Sequence, residues 1–269
     1  MPFDVNSRII RPNHLKKISE QGIIKKDLYV YYDFSNYKSY PNSGTTLTDL
    51  SYSGSTGTLY NSPSFSATNR GYFTFDGVDD YILTNRAMST LSALSNFSMS
   101  AWIKITSYPT AVSPPNGYGN STRCGVLLGA TYYAGAALYW YGNSAGNAFT
   151  MYGFIRGADA YRNTSGYSLG LNTWTYFTFV NNYSAGTIHL YANGSLHSTV
   201  GGPTQEYNSG LISSAGNICI SLPQVDGGGE LNYSYFPGQI GSVEVYRTAL
   251  SASDVLYNFN ATKTRFGVA

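Results

Sequence analysis

The chain has 269 residues with 16 Lys/Arg against 14 Asp/Glu, a formal net charge of +2, and only 11% charged residues. With 26 Tyr, 13 Phe and 29 Gly, its composition suits half-buried pleated strands and tight turns rather than helices, whose usual formers do not dominate. No run approaches the roughly 18 apolar residues that span a bilayer, and the charge forms no basic stripe across a folded body, so neither a membrane nor nucleic acid is an expected partner.

Charge is instead gathered at the ends. Residues 1–26 carry Arg8, Arg11, Lys16, Lys17, Lys25 and Lys26 against Asp4 and Glu20, a net of +4, whereas residues 27–261 carry eight cations against twelve anions, a net of −4. The first 26 residues hold two apolar pairs, Ile9-Ile10 and Ile23-Ile24, and cannot build a core alone. They are expected to form a basic docking arm in which Arg8, Ile9, Ile10, Arg11, Lys16, Lys17, Ile23 and Ile24 engage a neighbouring subunit. Residues 1–8 lack the apolar core of a signal peptide, so the chain is expected to be made in the cytoplasm without signal-directed export.

From residue 27 to 261 strand signals recur between Gly/Asn/Ser/Pro clusters. Residues 28–34 form an aromatic strand, and residues 72–75 and 81–84 flank an Asp76-Gly77 turn. In 97–105, Phe97, Met99, Ala101, Ile103 and Ile105 alternate with Ser98, Ser100, Trp102 and Lys104, a period of two that buries one face. Strands follow at 126–130, 137–141 and 149–156, then 174–180 paired with 187–191, and Asn193-Gly194 is the strongest two-residue hairpin signal. Residues 216–221 and 238–247 complete the series. Residues 249–260 form the only strong helix, capped by Ser251 or Ser253, with an apolar stripe of Leu250, Val255, Leu256 and Phe259. Residues 262–269 remain as a cationic tail. About a dozen short strands without intervening helices require antiparallel pairing, hence an all-β sandwich or barrel.

Several motifs are similar to a known family. Phe75-Asp76-Gly77-Val78-Asp79-Asp80-Tyr81-Ile82 followed by Phe97-Ser98-Met99-Ser100-Ala101-Trp102-Ile103-Lys104 resembles the concanavalin A-like, laminin-G-like jelly rolls. So do Asp49-Leu50-Ser51, Gly57-Thr58-Leu59, Leu190-Tyr191-Ala192-Asn193-Gly194, and the closing stretch 236–247 with Ala249-Leu250-Ser251. The resemblance covers about residues 28–260 and implies an antiparallel two-sheet jelly-roll sandwich with a short C-terminal helix. That fold hosts lectins, glycanases, adhesion modules and virion parts. Residues 257–267 resemble the ends of such domains in tailed-phage structural proteins. This implies a virion component, of capsid, tail or fibre, present in multiple copies or as a homo-oligomer among other virion structural proteins, with a cell-surface glycan as ligand. A free carbohydrate-binding lectin is the rival.

Catalysis has little support in the residues. Glycanases of this fold place carboxylates in a Glu-x-Asp-x-x-Glu run along one strand face, and no such run is present, which leaves glycoside hydrolysis a distant third. Gly142-Asn143-Ser144-Ala145-Gly146 matches a nucleophile elbow, but a strand rather than a helix follows, so a hairpin turn is the better reading. Asp79 and Asp80 offer hard oxygen ligands in a loop, which suits calcium; otherwise Asp76 holds the turn and the pair faces water. No other cofactor is expected. For a glycan, Tyr139, Trp140, Tyr141 and Arg156 are the candidates, with Tyr132, Tyr133, Asn143 and Arg162 nearby. Alternation would put Tyr139 and Tyr141 on one face and Trp140 on the other. Cys124 and Cys219 read as buried free thiols.

Overall fold

A computed structural model describes residues 22–68, 71–91, 95–109, 124–130, 135–143, 145–156, 161–205, 216–222 and 234–269. Its strands are β1 (Leu28–Asp33), β2 (Thr46–Thr48), β3 (Thr56–Tyr60), β4 (Ser64–Ser66), β5 (Tyr72–Asp76), β6 (Tyr81–Ala87), β7 (Phe97–Ile105), β8 (Cys124–Gly129), β9 (Ala136–Gly142), β10 (Phe149–Arg156), β11 (Tyr161–Asn163), β12 (Tyr167–Ser168), β13 (Thr175–Asn182), β14 (Thr187–Ala192), β15 (Ser195–Gly201), β16 (Asn217–Leu222) and β17 (Pro237–Tyr246). One α-helix, α1 (Ala252–Thr262), follows them.

The strands make two antiparallel sheets. The first runs β15-β14-β13-β7-β17-β5-β4, with β1 also paired to β17; the second runs β11-β10-β9-β8-β16-β6-β3-β2, with β12 on β10. Alternation along β7 delivers what its sequence pattern promised: Phe97, Met99, Ala101, Ile103 and Ile105 all enter the core between the sheets. They meet Val30, Phe73, Phe177, Phe179, Val243 and Val245 from neighbouring strands, and Leu128, Leu138, Trp140 and Met151 from the opposite sheet. Burying this many large side chains contributes roughly 1.5–3 kcal/mol each and dominates the stability of the fold.

The opposite face of β7 is also covered. Trp102 stacks on Phe266 at 4.3 Å and lies 5.2 Å from Tyr176, while its Nε1 donates to Thr262 Oγ1 at 2.8 Å. Helix α1 lies on this outer face, started by a capping box in which Ser251 and Asp254 exchange bonds. Its inward residues are Val255, Asn258 and Phe259, whereas Leu256, expected in the stripe, is 46% exposed. Asn258 takes the inward place because it is fully hydrogen-bonded there: its Oδ1 accepts from the Ile24 amide and its Nδ2 donates to the Tyr246 hydroxyl. Gly241 sits under Phe266, where an added Cβ would meet ring carbons at 2.4 Å.

The turns separate into two kinds. Asn193 and Gly194 adopt φ of 49° and 78° and join β14 to β15 as a tight hairpin. The Asp76-Gly77 turn instead carries the chain across the sandwich, since β5 belongs to the first sheet and β6 to the second. Among the described residues, no helix is long and apolar enough to cross a membrane.

Candidate functional site

The crossover turn gathers three carboxylates at one end of the sandwich. Gly77, at φ 77°, packs where a Cβ would come within 2.9 Å of Pro237, so the tight turn needs glycine on both counts. Asp76 Oδ1 accepts from the Val78 amide at 2.7 Å and the Asp79 amide at 3.3 Å, and the Asp76 amide donates to Asp80 Oδ2 at 3.0 Å. Asp76 thus holds the turn as its sequence context implied. Carboxylate oxygens of Asp76, Asp79 and Asp80 also lie within 4.8 Å of one another, a donor set compatible with calcium. Burial, then the charges of Asp76 and Asp79, raises the Asp80 carboxyl to about 6 against the opposing bond from the Asp76 amide.

Aromatic rings stand beside this turn. Tyr60 and Tyr81 are cross-strand partners of β3 and β6, their rings stacked at 4.6 Å and 3° apart, and Tyr235 lies 6.1 Å beyond Tyr81. Asn61 donates to the Asp79 carbonyl at 2.7 Å, tying the end of β3 to the acidic turn. Burial and the neighbouring phenols raise the hydroxyl pKa of both Tyr81 and Tyr235. An open cleft of about 360 Å³ runs between Asp76, Val78, Tyr108, Pro109, Tyr235 and Pro237. Flat apolar rings next to carboxylates and an amide are what a sugar needs: a surface for its C–H face and acceptors for its hydroxyls.

The aromatic group Tyr139, Trp140 and Tyr141 with Arg156, conspicuous in the sequence, is separated in the structure. Trp140 is fully buried, stacked on Phe149 at 4.9 Å in the core between the sheets. Tyr139 points to the other face as alternation required, but is 2% exposed among Cys124, Val126 and Phe154. The reason is packing on both faces: Trp140 faces the opposite sheet, and on the outer face Cys124, Val126, Phe154 and Cys219 from neighbouring strands close around Tyr139. Tyr141 is half-buried against Tyr139 and Tyr152, and the Arg156 guanidinium lies 3.6 Å over Tyr161. The four do not form one exposed platform. Tyr132 and Tyr133 fall outside the described residues. Gly142, Asn143, Ala145 and Gly146 lie where β9 turns into β10, Ser144 falls outside the described residues, and His189 is engaged by Thr187 and Thr199. Cys124 and Cys219 are free and buried, with thiol pKa values pushed by burial to about 11 and about 12.

Arg8, Ile9, Ile10, Arg11, Lys16 and Lys17 lie outside the described residues. Ile23 and Ile24 were expected to bury on a neighbour, but the chain itself already covers them. Ile23 is 3% exposed, and Ile24 packs against the cluster of Val180, Tyr191, Tyr246, Leu250 and Val255 while its carbonyl accepts from the Tyr246 hydroxyl. The C-terminal residues likewise fold onto the body: Arg265 pairs with Asp33 at 2.5 Å and donates to the Gly241 carbonyl, and Phe266 is buried.

Comparison with known proteins is consistent with this architecture. Residues 76–256 match the family profile described as the concanavalin A-like lectin/glucanases superfamily. No curated protein matches the chain closely enough to count as a relative. Among solved structures, the Trypanosoma rangeli sialidase in complex with 2,3-difluorosialic acid superposes with TM-score 0.59 at 14% identity, over 90% of this chain and 34% of the sialidase. The botulinum neurotoxin type C structure, whose cell entry depends on two ganglioside molecules, gives TM-score 0.59 at 14% identity over 89% of this chain and 52% of that one. The binding domain of botulinum neurotoxin DC in complex with rat synaptotagmin II gives 0.58 at 13% identity, over 89% and 52%. The chain therefore spans from a third to about half of these proteins, and the likeness is one of fold.

Proposed function

The chain belongs to the concanavalin A-like lectin/glucanases superfamily, and from that premise we propose that it is a non-catalytic carbohydrate-binding module whose sugar lies in the cleft beside the Asp76–Asp80 turn. The observation that carries this reading is the stacked pair Tyr60 and Tyr81, extended by Tyr235, next to a cleft lined by Asp76. Ganglioside, synaptotagmin and sialic-acid ligands named for proteins of like fold support a surface-recognition role. A glycan array probed with the full chain tests it: neutral or acidic oligosaccharides should be retained, and Tyr235→Ala should lose them. An array without any retained glycan overturns the reading. Incubation of a retained oligosaccharide with the protein should produce no new reducing ends; their appearance would replace binding by hydrolysis.

Calcium belongs to the same proposal. Asp76, Asp79 and Asp80 would hold the ion, neutralising the repulsion among three carboxylates and stiffening the turn that forms one wall of the cleft.

We further propose assembly into a virion, a reading that rests on the resemblance of residues 257–267 to the ends of tailed-phage structural domains, with residues 8–17 docking on an acidic patch of a neighbouring structural protein. A net +4 on residues 1–26 against −4 on residues 27–261 supports the docking step. Deletion of residues 1–17 should abolish incorporation into particles while leaving glycan retention intact. Incorporation of the deleted form would remove the docking role.

A further inference from the structure

A second cleft, of about 320 Å³, lies at the opposite end of the sandwich, where β1 begins, β17 ends and β6 ends. Its chemistry is the reverse of the first. Two guanidinium groups share one aromatic ring: Arg247 lies 4.2 Å and Arg86 4.9 Å from the ring centre of Tyr29. The ring quadrupole attracts each cation, which lets two like charges sit close together.

Among the described residues, no carboxylate forms an ion pair with either cation. The ion pair present there is Arg265 with Asp33, and it does not involve Arg86 or Arg247. Arg86 donates one Nη2 bond to the Ser53 carbonyl at 2.8 Å, while its Nε is buried without a hydrogen-bond partner. Asp27 also lines the cleft, so two guanidinium groups against one carboxylate leave it net positive. Tyr52, 94% exposed, stands at the rim with its ring open to solvent.

The cleft is held from behind. Asp49 accepts from the amides of Tyr31 and Ser51, each at 2.8 Å, and so fixes the loop that presents Tyr52 and Ser53. The Arg247 amide donates to the Asp27 carbonyl at 2.8 Å, closing the other side. Two planar forks laid on the Tyr29 ring, one of them tied to Ser53, keep donors free for the paired oxygens of a carboxylate or of one edge of a sulfate.

We propose that the Arg86–Arg247 cleft binds an oxyanion group, a carboxylate or sulfate, in a site separate from the tyrosine cleft. A sugar bearing that group would lay its ring on Tyr52, whereas a free ion would use the arginines alone. The inference does not rest on the tyrosine cleft, and Tyr60→Ala, at the far end, should leave it unchanged.

Calorimetric titration of the full chain with 3′-sialyllactose, lactose 3′-sulfate, lactose and sodium sulfate tests it. At least one oxyanion probe should bind saturably and about tenfold more tightly than lactose, and Arg247→Gln should weaken that binding about tenfold, as loss of a charge-assisted pair does. Arg247 is exposed, so this variant should fold; Tyr52→Ala, equally safe, distinguishes the source. If Tyr52→Ala weakens the sugar probes but not sulfate, the ligand is an anionic sugar; if sulfate and the sugars bind alike in both forms, it is the free ion. Absence of saturable binding by every oxyanion probe, or binding undiminished in Arg247→Gln, overturns the proposal.

Discussion

The Asp76 end and the Arg247 end of the sandwich are built on the same two strands, β6 and β17, yet present opposite charge. β17 runs from Pro237 beside the acidic turn to Tyr246 beside Arg247, about 30 Å at the usual rise per residue. At the first end tyrosine rings stack on one another and backbone amides satisfy the carboxylates. At the second a tyrosine ring carries two guanidinium groups, and one carbonyl meets one of them. The strands between are shared by both ends, so they do not by themselves set the charge of either. Specificity is written in the crossover turn at one end and in the loop around Ser53 at the other, which is how a rigid sandwich commonly divides labour between scaffold and loops.

A disturbance of the scaffold should strike both ends together. Trp102 is fully buried on the outer face of the first sheet, stacked on Phe266 and bonded to Thr262, and it touches neither cleft. Trp102→Ala is expected to lower unfolding free energy by about 3–5 kcal/mol, measured by denaturant titration. Glycan and oxyanion affinities should be unchanged wherever the variant remains folded. Loss of one affinity and not the other would mean that the helix layer supports the ends unequally.

The same contrast explains what was legible in the sequence. Alternation in residues 97–105 located the core face of β7 and singled out Trp102, because a period of two survives any choice of strand neighbour. The hairpin at Asn193-Gly194 and the cap at Ser251 were legible for the same local reason. Asp79 and Asp80 were found because adjacent carboxylates beside a glycine stand out in one dimension. Tyr60, Tyr81 and Tyr235 did not, since they are 21 and 154 residues apart and meet only through the register of β3 with β6 and the approach of the chain to Pro237. Tyr139 and Trp140 are conspicuous but buried, because a sequence run does not reveal which side chains pack over each face of its strand. Arg86 and Arg247 were invisible as a pair until both strands ended beside Tyr29.

Nearer the Arg247 end lies Glu244, fully buried on β17 and accepting from the hydroxyls of Tyr176 and Ser242. Burial raises its carboxyl from 4.5 to about 7, opposed by those two bonds and by Lys25, and reinforced by Asp33. The folded chain therefore holds a proton that the unfolded chain has released between those values. That stabilisation is complete below pH 4.5 and is lost as pH rises through 7, with a magnitude of about 3 kcal/mol. Melting temperature should fall from pH 5 to pH 8, and Glu244→Gln should flatten the profile. An equally steep profile in that variant would assign the effect elsewhere, first to Asp80, whose raised pKa acts in the same direction.

Calcium should sharpen the difference between the ends, because it acts on one of them. An ion held by Asp76, Asp79 and Asp80 requires Asp80 deprotonated, so its affinity should decline as pH falls below about 6. Calcium at a hundredfold excess over its dissociation constant should add about 2.7 kcal/mol, visible as a rise in melting temperature that chelator reverses and Asp80→Asn prevents. Lactose 3′-sulfate binding at the arginine end should not respond. An identical melt with calcium and with chelator at pH 7.5 would remove the ion from the site.

The smallest expected effect on stability is the most informative about recognition. Tyr60 is 38% exposed and its ring lies flat on Tyr81, a cross-strand pair between β3 and β6. Such pairs contribute about 0.2–1 kcal/mol relative to alanine, so Tyr60→Ala should unfold at nearly the same denaturant concentration as the parent. Its consequence for a sugar should be larger, because removing the outer ring leaves Tyr81 unsupported and takes away apolar surface next to the acidic turn. A retained glycan should therefore bind several-fold more weakly while the oxyanion probes titrate as before. If both ligands weaken together, the two ends are coupled through β6, which bears Tyr81 at its start and Arg86 near its finish; if neither does, the sugar is held by Tyr235 and Tyr108 alone.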